Sequence, residues 1–123
     1  MITTAAVDSL PQFKGRVIHC SNLMISARSH LAKGEPFEAA VAQIEAGRAL
    51  AELGWELIGA GHVKHGAQDL LNAVHCFLEA GDYRPAEEQL TRLGKTPHLR
   101  DEVQKNARLA EEYDDLLRAS NKT

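Results

Sequence analysis

The sequence predicts an all-α fold, on three observations. Apolar residues recur at steps of three and four, alanine is abundant, and glycine–proline punctuation divides the chain. Alanine is the best helix former, and its small side chain lets helices approach closely. Few β-branched residues occur and no stretch alternates apolar with polar for long, so no sheet is expected. A chain of 123 residues is long enough for one domain with a real core and too short for two. The expected architecture is an antiparallel helical-hairpin bundle of five or six helices over residues 11–119. Residues 1–10 are expected to be a flexible N-terminus and 120–123 a disordered tail.

Each element follows from this punctuation. Pro11, behind Asp8 and Ser9, opens a first helix to about Lys33, with Phe13, Val17, Cys20, Met24, Ala27 and Leu31 as its inward stripe. Gly34 closes it and Pro36 opens the second, since glycine tolerates the left-handed conformation past a helix end and proline suits the first helical position. That helix is read to about Leu53, with Phe37, Val41 and Ile44 inward. Its alanines at 39, 40, 42, 46, 49 and 51 predict a close neighbour. Gly54, Gly59, Gly61 and Gly66 then fall within thirteen residues. The segment from Trp55 to Val63 is read as a helix packed tightly on a neighbour, with fraying near His62 as the alternative. Helices follow from Ala67 to Ala80 and from Pro85 to Leu93. Thr96 is the expected N-cap of a last helix from Pro97 to about Arg118. Its seam is Leu99, Val103, Asn106, Ala110, Tyr113 and Leu117, with Leu109 and Leu116 alongside. The seam reads as the face that closes the bundle, or as a homodimer contact in which Asn106 fixes register.

Charge and composition exclude several function classes. The net charge is −3, and neither half of the chain has a basic excess, so nucleic acid is not an expected partner. The opening MITTAAVDSLPQF has no basic region followed by an apolar run, and no segment approaches transmembrane length. No membrane association and a cytoplasmic location are therefore expected. Cys20 and Cys76 are expected as reduced, buried thiols. Two cysteines alone do not make a zinc site, and no cofactor is expected.

Residues 70–97, LLNAVHCFLEAGDYRPAEEQLTRLGKTP, resemble a tetratricopeptide repeat. Leu70, Ala73 and Phe77 match the inward positions of that family's first helix. Gly81-Asp82-Tyr83 matches the turn, Ala86 the small residue where the paired helices touch, and Leu90 and Leu93 the second helix. Residues 24–47 carry a weaker copy in Met24, Ala27, Leu31, Gly34, Phe37, Ala40 and Ile44. The two copies lie more than one repeat length apart, and Arg28 stands where the family favours glycine. The resemblance implies stacked hairpins whose concave face, lined by the first helix of each pair, grips a protein partner or peptide. Carried onto this chain, that face draws on Asn22, Arg28, Asn72 and His75. The expected function is a non-enzymatic protein-interaction scaffold.

The hexapeptide GHVKHG at 61–66 raises the question of a reactive centre. Its G-x4-G spacing lacks the following lysine and hydroxyl of a phosphate loop, and no strand precedes it. On a helix His62 and His65 would share a face and chelate a metal, given a third ligand such as Glu56, Asp69 or His75. The stretch also resembles the signature of histidine phosphotransfer domains, which implies His62 as phosphoacceptor and Gly66 as the small residue beside it. Lys64 stands where that signature has leucine. Arg92 and His98 have the spacing of a helical ribonuclease motif, with Pro97 interrupting it. The reading preferred from the residues alone is a helix junction.

Overall fold

The computed structural model describes residues 11–121 of the chain. Among them every regular element is a helix. In order these are α1 (Pro11–Ala32), α2 (Pro36–Gly59), α3 (Val63–Glu79), α4 (Tyr83–Gly94), α5 (Pro97–Lys105) and α6 (Ala107–Asn121). The expected flexibility of residues 1–10 falls outside the described residues, as do Lys122 and Thr123. The expected disorder from Ser120 does not hold at its start, because Ser120 and Asn121 complete α6 and Ser120 is buried.

One turn geometry joins the first four helices. Gly34, Gly61 and Gly81 have φ of 73°, 94° and 76°. Each glycine N–H donates to the carbonyl three residues back. The next N–H donates to the carbonyl five back: Glu35 to His30 at 2.9 Å, His62 to Leu57 at 2.8 Å and Asp82 to Phe77 at 2.8 Å. This pair of bonds is the Schellman closure, which satisfies carbonyls that a helix end leaves without partners. Each new helix then starts two residues past the glycine, so GEP, GHV and GDY are three versions of one junction. Gly94 differs from them. It is the last residue of α4, and Lys95 caps the helix in the right-handed region.

α2 is the central element, packed against α1 on one side and α3 on the other. It runs unbroken through Gly54 to Gly59, so the two segments read across 36–63 are mostly one helix, and α3 begins four residues before Ala67. Gly54 and Gly66 explain the continuity. A Cβ on Gly54 would sit 2.9 Å from the Gly66 carbonyl oxygen, and one on Gly66 would sit 2.6 Å from that of Gly54. The backbones of α2 and α3 therefore meet with no room for a side chain. Gly47 gives the Phe77 ring its place in the same way. The buried face of α2 is Ala39, Ala42, Ala46, Leu50, Leu53 and Leu57.

Phe37 and Val41 are not inward, contrary to the pattern reading. They are 74% and 41% exposed. The reason is length. α2 has 24 residues and α3 has 17, and Gln43 already reaches Glu79, the last residue of α3. The first turns of α2 thus run past the end of α3. Leu31, near the end of α1, is likewise exposed. The rest of the α1 stripe holds, with Phe13, Cys20 and Ala27 buried and Val17 and Met24 packed against the core.

The last helix is two helices. α5 ends at Lys105, and Asn106, at φ −109° and ψ 110°, leaves the helical region. Its side-chain oxygen accepts the Leu109 N–H at 3.1 Å, an N-cap of α6. Asn106 is thus a cap and not a polar residue within a continuous seam. Leu99, Val103, Leu109 and Leu116 all lie in the protein's own core. Thr96 precedes Pro97 as expected, but its hydroxyl donates back to the Arg92 carbonyl at 2.8 Å and does not cap α5. α4 starts two residues before Pro85.

Candidate functional site: a cleft between α1 and α3

α1 and α3 both rest on α2 and leave a cleft between them. Its walls are Met24, Ala27 and Arg28 of α1 and Asn72, His75, Cys76 and Glu79 of α3. Its floor is Ala46 and Gln43 of α2, and its volume is about 260 Å³. The floor is low because Ala46 is small. The α3 wall is one helical face, since positions 72, 75, 76 and 79 are spaced by three and four. Gln43 donates to Glu79 at 2.7 Å and closes one corner.

Three of the four residues carried over from the repeat resemblance meet here: Arg28, Asn72 and His75. Asn22 is exposed on α1 and is not part of the lining. Six residues separate it from Arg28, which turns its side chain about 120° around the helix axis. Glu79 and Cys76 were legible as members of the His75 face but were not singled out. Gln43 gave no such signal, because its presence depends on how far α2 slides along α3.

The cleft combines a floor of one alanine and one glutamine with opposite charges at its rim. Cys76 is buried, and burial pushes its thiol up to about 11, with Glu79 and Cys20 adding to the rise and Arg28 opposing it. A thiol held so far into its protonated form is a poor nucleophile at neutral pH. Cys20 is raised too, by burial first and Asp69 second. Both cysteines are buried and unbridged, as the sequence reading expected.

The adjoining flank of α3 borders α6. Gln68 donates to Asn72 at 3.1 Å and to Glu112 of α6 at 3.2 Å, and His75 Nε2 lies 4.0 Å from Glu112. A second groove of about 630 Å³ runs between Leu78 of α3 and Leu116 and Ala119 of α6. His75 and Glu79 border both depressions, so the surface is continuous from α1 across α3 to α6.

GHVKHG forms the turn between α2 and α3 and the first residues of α3. His62 is the N-cap residue of α3, with its ring edge-on to Phe13 at 6.3 Å between centroids. It is half-buried at a turn. His65 lies one turn on, beside the start of α6. No three His, Cys, Asp or Glu side chains among the described residues are placed to hold a metal ion. Arg92, half of the ribonuclease spacing, stacks on Trp55 with its guanidinium carbon 3.9 Å from the ring centroid, while Trp55 Nε1 donates to Gln89 at 2.8 Å. These contacts tie α4 to α2.

No helix among the described residues is long and apolar enough to cross a membrane. No protein-family model matches the chain, and no curated protein and no solved structure matches it.

Proposed function

We propose that the protein is a helical docking module, built from hairpins resembling tetratricopeptide repeats, that holds a segment of another protein across the α1–α3 cleft. The convergence of Arg28, Asn72 and His75 carries this reading. These residues were named from a resemblance to peptide-gripping hairpins, and two separate helices bring them to one depression. The burial of Leu70, Ala73, Phe77, Ala86, Leu90 and Leu93 agrees with the repeat positions assigned to them. Leu31 and Phe37, in the weaker copy, are exposed and do not follow the pattern.

The chemistry of the cleft suits recognition. It offers a guanidinium, two amides, an imidazole and a carboxylate beside the apolar side chains of Met24, Ala27 and Ala46. A concave, partly apolar surface with a few oriented polar groups is how a side chain is held. The cytoplasmic location inferred from the sequence belongs to the same proposal.

The test is affinity capture from cells with native protein and with an Asn72→Arg/Arg28→Glu variant, read by quantitative mass spectrometry. Both substituted positions lie outside the buried core. Proteins retained by the native chain should fall at least tenfold on the variant. They should persist on a Glu87→Lys/Glu88→Lys control, whose changes lie on α4 away from the cleft. Equal retention by native and variant protein would sink the proposal.

A further inference from the structure

The α3–α6 groove has a charge distribution that selects its occupant. Its floor is apolar, from Leu78, Leu116 and Ala119. Along its rim stand Glu79 on α3 and Glu111, Glu112 and Asp115 on α6, facing Arg108 and the imidazole of His75, with Arg118 beside Asp115 as a second cation. Glu112 is engaged by Gln68 and His75, and Asp115 by Arg118. Glu111 and Asp115 are exposed to solvent. The positive groups Lys64 and Arg108 gather at the other end, where α6 begins. The groove is therefore polarised: positive at the start of α6 and negative along the rest of it.

Resting on the docking reading above, we infer that the partner segment continues from the α1–α3 cleft past His75 and Glu79 into this groove, and that there it is an amphipathic helix. It sets an apolar stripe over Leu78, Leu116 and Ala119 and basic side chains against Glu79, Glu111 and Asp115. The groove's lining runs from Arg108 to Ala119 along α6, about 17 Å at 1.5 Å per residue, so a partner helix of about sixteen residues spans it with a turn to spare. Exposed carboxylates at the rim choose among partners by sign and speed the encounter, while the apolar floor supplies affinity.

The experiment uses three synthetic sixteen-residue amphipathic helices with the same apolar stripe and a polar face of lysine, of glutamate or of glutamine. Binding to the full chain is read by fluorescence anisotropy. The lysine peptide should bind at least tenfold more tightly than the other two and weaken as salt is raised. Glu111→Lys/Asp115→Lys should weaken it about tenfold, the scale of two rim charges. Glu87→Lys/Glu88→Lys, with the same change in net charge on α4, should leave it unaltered. Circular dichroism confirms that both variants are folded. Equal loss in both variants means attraction to net charge alone and overturns the inference. Preference for the glutamate or glutamine peptide overturns the basic partner yet leaves a docking surface. Failure of all three peptides, together with no partner lost in the capture experiment, removes both readings.

Discussion

Glycine acts in two different ways in this chain, and substitution separates them. At Gly34, Gly61 and Gly81 a Cβ would meet nothing within 4 Å, but φ is positive. Alanine there should cost about 1 kcal/mol of left-handed strain each. At Gly54 and Gly66 a Cβ would strike the facing backbone within 3 Å. Backbone cannot rotate aside as a side chain does, so the two helices must move apart. Gly54→Ala and Gly66→Ala should each cost about 2–3 kcal/mol, despite alanine's better helix propensity. Urea denaturation of Gly61→Ala beside Gly54→Ala checks this ordering, and an equal loss for both would contradict the backbone contact. The thiol of Cys76 gives a second residue-scale expectation. With its pKa raised from 9.0 to about 11, alkylation by iodoacetamide should stay slow in the folded protein through pH 9 and quicken above it. The linked stability has a definite sign. The folded state keeps its proton where the unfolded thiol has lost it, so the contribution is full below pH 9 and falls as pH rises towards 11.

At the scale of elements, the α5–α6 break at Asn106 is the most sensitive feature. The cap satisfies the Leu109 N–H and fixes where α6 begins. Asn106→Ala should cost about 1 kcal/mol, while Asn106→Ser or Asn106→Asp should recover most of it. Thermal unfolding monitored by circular dichroism measures both, and a destabilised Asn106→Asp would show that the cap is not the cause. Sequence periodicity found the α5 half of the buried seam in Leu99 and Val103, whereas in α6 the buried apolar residues are Leu109 and Leu116, read as lying alongside the seam, and Ala110, Tyr113 and Leu117 are half-buried. Periodicity missed the break because one residue outside the helical region re-aims the following helix without disturbing an approximate three–four spacing. Asn is also a common cap, and that was the available signal. The junction glycines were more legible. Gly34 and Gly81 each stand two to four residues before a proline, and Gly61 is revealed by its kinship with them.

Across the molecule, one core joins α1 to α6, from Phe13 through Leu57, Leu70 and Leu90 to Leu116. α2 and α3 form its middle, and Trp55 reports the α2–α4 contact from half-buried surroundings. Unfolding by denaturant should therefore be a single transition, with Trp55 fluorescence and far-ultraviolet circular dichroism coinciding. An early loss of helix signal at unchanged tryptophan emission would mean that α5 and α6 unfold on their own. The same arrangement sets the candidate site. Arg28 could be placed beside Asn72 and His75 only through a family resemblance. Nothing in local spacing relates position 28 to position 72.

Helical class and the turn glycines came from the residues alone, because each is decided within one or two turns of helix, and the inward positions of α3 and α4 came through the repeat resemblance. Backbone propensity, capping and a 3.6-residue period are local quantities. The inward face of α2, the exposure of Phe37 and the cleft between α1 and α3 were settled only by the assembled fold. They depend on how far one helix extends past another and where two backbones can touch. Those offsets are fixed by Gly54 against Gly66 and by the unequal lengths of α2 and α3. They are properties of pairs of helices and leave no period in either one.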